Sequence, residues 1–103
     1  GTPTALAPIQ VDAFDAQMWE SILALYRSAI TVNPDWQPAV DAMERRPALV
    51  LWGADDPFVA PRFGERLAVR LDARLLMFED CGHWWPIERA AESAAALELL
   101  WTQ

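Results

Sequence analysis

Apolar residues recur at helical spacing early in the chain, at Phe14, Met18, Ile22, Leu25, Tyr26 and Ala29. That pattern predicts an amphipathic helix from Ala13 to about Ala29. Asp12 offers its N-cap, with Asp15 three residues on as a weak capping-box partner. The two prolines and weak periodicity of residues 1–10 read as a loop. Asn33-Pro34-Asp35 reads as a break, and Pro38 to Arg45 as a second, shorter helix ended by Pro47. The pattern then changes. Ala48 to Trp52 is a short unbroken apolar run stopping at Gly53, the mark of a buried strand. Pro61 suits the first turn of a helix whose stripe is Phe63, Leu67 and Leu71, closed by Asp72-Ala73. Arg74 to Phe78 repeats the strand pattern. It leads into the loop Glu79-Asp80-Cys81-Gly82-His83-Trp84-Trp85. Pro86 opens a last helix with Ile87, Ala90, Ala94, Leu97 and Trp101 on its inner face.

The expected order is helix, helix, strand, helix, strand, helix. A strand–helix–strand passage of this length is a parallel βαβ crossover, so the expected class is α/β. Residues 1–46 form a helical segment and 47–103 a βαβα unit. In parallel sheets the loops beyond the carboxyl ends of the strands carry the chemistry. Asp56 and His83 both fall in such loops, on neighbouring strands.

Composition narrows the function classes. The chain has 103 residues, 53% of them hydrophobic, with a formal net charge of -7 and no lysine. An acidic chain without a basic stripe is unsuited to nucleic acid or an anionic membrane surface. No apolar run approaches the roughly 20 residues of a spanning helix, and the first residues lack the pattern of a signal peptide. One cysteine, Cys81, excludes an intrachain disulfide and fits a reducing, cytoplasmic setting. One His and one Cys give no metal-ligand spacing. The acidic cluster Asp55, Asp56, Glu79 and Asp80 reads as solvated loop charge. Cys81 reads as small buried filler.

Two motifs carry a resemblance. PALVLWGADDPFVAP, residues 47–61, and FEDCGHWWPIE, residues 78–88, resemble the last two strand-loop segments of the α/β-hydrolase family. There the penultimate strand ends in G-x-x-D, matched by Gly53 and Asp56, and the last ends in G-H, matched by Gly82 and His83. The resemblance implies that Asp56 is the triad acid and His83 the general base. Asp55 is the rival acid but stands at the wrong spacing from Gly53. A carboxylate bonded to the imidazole Nδ1–H fixes the tautomer that takes a proton and stabilises the imidazolium that forms. The segment 1–46 resembles the family's lid region. Trp84 and Trp85 are candidate substrate-pocket residues, one of them equally suited to packing beside the last helix. The aromatic after the histidine is similar to epoxide hydrolases and haloalkane dehalogenases, which use an aspartate nucleophile where esterases use serine.

The family's nucleophile sits in a glycine-flanked elbow. None occurs here: Ser21, Ser28 and Ser93 lie in helical patterns without flanking glycines. The resemblance therefore implies the C-terminal portion of a hydrolase. It would act on a small-molecule ester, epoxide or carbon–halogen bond with an N-terminal hydrolase segment, and would need no cofactor. A nucleophile-less binding or assembly module and an unrelated small α/β domain are the competing readings. A two-stranded parallel sheet is marginal in water. The expected outcome is docking on a companion segment, or self-association through the exposed strand edge.

Overall fold

A computed structural model describes residues 2–30 and 32–102, with the backbone alone at 32–35. The chain divides into two compact units, one spanning Thr4–Glu44 and one running from Arg45 onward with Thr2 and Pro3.

The first unit is helical: α1 (Ala7–Ala13), α2 (Ala16–Ala29) and α3 (Val32–Asp41). The expected loop at 1–10 instead holds the start of α1, where Pro8 takes a first-turn position that needs no N–H. The single helix expected from Ala13 is interrupted at Phe14, whose backbone is extended. Asp15, not Asp12, caps α2, accepting from the Met18 N–H at 2.7 Å. Asn33-Pro34-Asp35 lies inside the first turn of α3, where a proline is tolerated. Pro38 is also within α3, which ends at Asp41 and not at Arg45. The stripe expected on α2 is largely exposed, Leu25 and Tyr26 most of all. Among the described residues, no helix is long and apolar enough to cross a membrane.

The second unit is α/β. Strand β1 (Leu49–Gly53) pairs in parallel with β2 (Arg74–Phe78), in the register Leu49 to Arg74 through Gly53 to Phe78. Helix α4 (Pro61–Leu71) is the crossover. It ends on Asp72, a left-handed residue (φ 53°) whose N–H reaches back to the Val69 carbonyl. The last helix comes in two pieces, α5 (Trp85–Glu88) and α6 (Ala90–Trp101). Arg89 takes a non-helical conformation between them, so the helix does not run unbroken from Pro86.

Both helical faces differ from the expected stripes. On α4 the buried residues are Gly64 and Ala68, while Phe63 and Leu67 are exposed. The cause is a close approach: a Cβ at Gly64 would lie 2.8 Å from Cδ2 of Trp52, so only small residues fit against β1. On α6 the buried residues are Ser93 and Ala96, with Leu97 and Leu100 half-buried, and Trp101 is exposed. The break at Arg89 resets the helical phase, and an alanine-rich segment carries little signal of which face turns inward. Val50, Ala68, Phe78, Cys81 and Ala96 form the core.

Candidate active site

The site grows from the carboxyl ends of the two strands. Beyond the last register pair, the Ala54 N–H donates to the Phe78 carbonyl (2.9 Å) and the Asp55 N–H to the Cys81 carbonyl (3.0 Å). These bonds tie the loop after β1 to the loop after β2. The approach is so close that a Cβ on Gly53 would lie 2.2 Å from the Gly82 carbonyl oxygen and 2.5 Å from that of Cys81. Gly53 is therefore demanded by backbone contact. Gly82 is not: a Cβ there would meet nothing nearer than 3.7 Å.

This junction brings together two of the sequence-derived candidates. Asp56 Oδ2 lies 2.8 Å from His83 Nδ1. Its other oxygen, Oδ1, accepts from the backbone N–H groups of Phe58 (2.8 Å) and Val59 (3.0 Å). The Asp56 side chain is 5% exposed and that of His83 46%, so the acid sits beneath and the imidazole faces outward. Burial alone would push the Asp56 carboxyl up. The hydrogen bonds from His83, Val59 and Phe58, with the charge of the imidazole, outweigh it and hold the group below its ordinary value. An ionised carboxylate only accepts, so the proton between the two groups belongs to Nδ1, which in the neutral form of the ring leaves Nε2 as the basic nitrogen. Asp55 takes no such position. It is exposed, and its N–H is what joins the loops.

The neighbouring aromatic residues separate by role. The Trp84 ring stands at 89° to the imidazole with centroids 6.2 Å apart, beside His83. Trp85 stacks on the buried Phe78 ring at 6.0 Å. Phe58, which the sequence reading did not single out, meets His83 edge to face at 5.2 Å. It follows Asp56 by two residues in the loop after β1, and nothing in its spacing marks it as a neighbour of His83.

The loop holding His83 is anchored from α5 and its end. Arg89 Nη2 donates to the Glu79 carbonyl at 3.0 Å, and the Cys81 thiol to Glu88 Oε2 at 3.3 Å. Burial and then the Glu88 carboxylate push the Cys81 thiol up, so it is a neutral, buried group rather than a nucleophile. Asp80 takes a left-handed turn (φ 51°), a conformation Asp accepts more readily than most residues. Among the described residues, no three His, Cys, Asp or Glu side chains gather where they could hold a metal ion.

A sequence model of the alpha/beta hydrolase family matches residues 2–96. The chain is 42% identical over 55 residues to a pimeloyl-[acyl-carrier protein] methyl ester esterase of Aromatoleum aromaticum, covering 52% of this chain and 22% of the esterase. It is 47% identical over 66 residues to a 2-hydroxy-6-oxononadienedioate/2-hydroxy-6-oxononatrienedioate hydrolase of Burkholderia vietnamiensis, covering 60% and 23%. It is 49% identical over 45 residues to a 2-hydroxy-6-oxo-6-phenylhexa-2,4-dienoate hydrolase of Comamonas testosteroni, covering 43% and 16%. The match thus spans less than a quarter of each relative's length. No solved structure matches the chain with significance.

Proposed function

The chain belongs to the alpha/beta hydrolase family, and from that membership we propose that it supplies the acid and the general base of a hydrolytic site whose nucleophile lies on polypeptide outside these 103 residues. The observation that carries the reading is the 2.8 Å contact between the buried Asp56 carboxylate and Nδ1 of the exposed His83.

In this reading His83 Nε2 takes the proton of an attacking hydroxyl, and the Asp56 carboxylate stabilises the imidazolium that results. The imidazolium returns the proton to the leaving group as the covalent intermediate forms. A water deprotonated at the same Nε2 then releases the second product. The esterase among the relatives favours a serine nucleophile and an ester or related acyl substrate. Epoxide or carbon–halogen hydrolysis would use the same two residues with an aspartate nucleophile. Trp84 forms one apolar wall beside the base, while Trp85 serves packing. The free edges of the two-stranded sheet, together with exposed Phe63, Leu67 and Val69 on α4, suit docking on the segment that bears the nucleophile.

The test is a chimera in which this chain replaces the segment it matches in the Aromatoleum aromaticum esterase, assayed on an aryl acetate. Hydrolysis that His83→Ala lowers by about 10⁴-fold or more is the expected result. Hydrolysis by a folded chimera that His83→Ala leaves unchanged would remove the proposal.

A further inference from the structure

Trp52 stands one residue before the glycine at which the two loops meet. Its indole is held on two sides. One face lies on Gly64 of α4, so closely that a Cβ there would come within 2.8 Å of Cδ2 and 2.9 Å of Cε3. Its Nε1–H donates to the Val59 carbonyl at 3.2 Å. Val59 is also one of the two residues whose N–H groups occupy Asp56 Oδ1. The Val59 backbone therefore joins two hydrogen bonds, one from the Trp52 indole to its carbonyl and one from its N–H to the Asp56 carboxylate, whose other oxygen meets His83 Nδ1.

We propose that Trp52 is a positioning residue for the acid. Its indole N–H fixes the segment 56–59 so that one carboxylate oxygen is taken by backbone and the other is left aimed at His83. This rests on the reading of Asp56 and His83 as acid and base. The geometry asks for a particular side chain. The Val59 carbonyl must be reached from strand β1 by a rigid arm with a donor at its side. Phenylalanine offers the arm without the donor. The glycine at 64 provides the space that lets the arm lie flat. A Trp52 that merely fills the core would contribute to stability and leave the direction of the Asp56 carboxylate untouched.

His83 is the single histidine of the sequence, so its two ring nitrogens give the only imidazole signals in a two-bond ¹⁵N–¹H spectrum. At pH about 9 an ordinary imidazole is neutral and the spectrum reports its tautomer. The full wild-type chain is expected to show the Nδ1–H form. Trp52→Phe, folded by its backbone spectrum, is expected to shift the ratio towards Nε2–H by on the order of fivefold, the equivalent of one net hydrogen bond. Trp101→Phe, on the exposed side of α6, should leave the ratio alone. A folded Trp52→Phe with the wild-type ratio overturns the positioning role while leaving the acid–base pair standing. A wild-type chain already in the Nε2–H form removes the pair, and the positioning role with it. Should Trp52→Phe fail to fold, the path is read from its other end. Asp56→Ala is expected to speed hydrogen exchange of the Trp52 indole N–H, identified by its proximity to Gly64, and an unchanged exchange rate overturns the proposal.

Discussion

Asp56 divides its two oxygens between backbone and imidazole, and that division has a consequence in acid. Its folded-state carboxyl lies below the ordinary value, so the unfolded chain takes up this proton first as pH falls. The stabilisation is present above the unfolded value of about 3.9 and is lost as pH drops through the lower folded value. Thermal unfolding followed from pH 5 to pH 2 should therefore show an acid-side loss that is shallower in Asp56→Asn. The two motif glycines, which look equivalent in sequence, part company on contact. Gly53→Ala drives a Cβ into two backbone carbonyls and should destabilise by about 1–3 kcal/mol or more. Gly82→Ala meets only ordinary contact distances and should stay within about 1 kcal/mol of the wild type. Denaturant titration of both variants checks the contrast. The meeting of Asp56 and His83 was legible because both stand in loops at the carboxyl ends of neighbouring strands. Phe58, Trp52 and Gly64 were not, because their roles depend on a loop path and a helix–strand distance that no spacing encodes.

At the scale of elements, strands and crossover were readable from two apolar runs bounded by Gly53 and by the Glu79–Gly82 turn region. β1 is shifted by one residue from the expected run and β2 coincides with it. Helix faces were read less well. On α4 the largest apolar residues, Phe63 and Leu67, suggested the inner face, whereas the inner face belongs to the smallest, Gly64 and Ala68. An isolated glycine in a helical pattern costs about 1 kcal/mol relative to alanine and so points to a packing reason. That reason is the Trp52 ring. Gly64→Ala should accordingly lower stability despite its better helix propensity, since the gain of about 1 kcal/mol is set against a ring that must be displaced from its hydrogen bond. A rise in stability in chemical denaturation would show that the ring moves freely. The helices of the Thr4–Glu44 unit were blurred for another reason. Prolines 8 and 34 mark helix starts, where their missing N–H costs nothing, and were read as loop and break.

The whole molecule places the Asp56–His83 pair beyond the tips of a two-stranded parallel sheet, flanked by helices that leave Phe63, Leu67, Val69, Leu99 and Trp101 exposed. The chain belongs to the alpha/beta hydrolase family and matches under a quarter of each named relative; a site shared with further polypeptide is the proposal made from it. The four glycines of the sequence flank no Ser, Asp or Cys in the elbow pattern. In the proposed function His83, oriented by Asp56, activates a nucleophile supplied from outside these residues. The most direct measurement is the rate at which a fluorophosphonate labels the nucleophilic serine in the chimera with the esterase. Fast labelling of that serine is expected, slowed by at least about 10³-fold in His83→Ala and slowed as well in Asp56→Asn. Labelling of the same serine at an equal rate in all three folded proteins would contradict it.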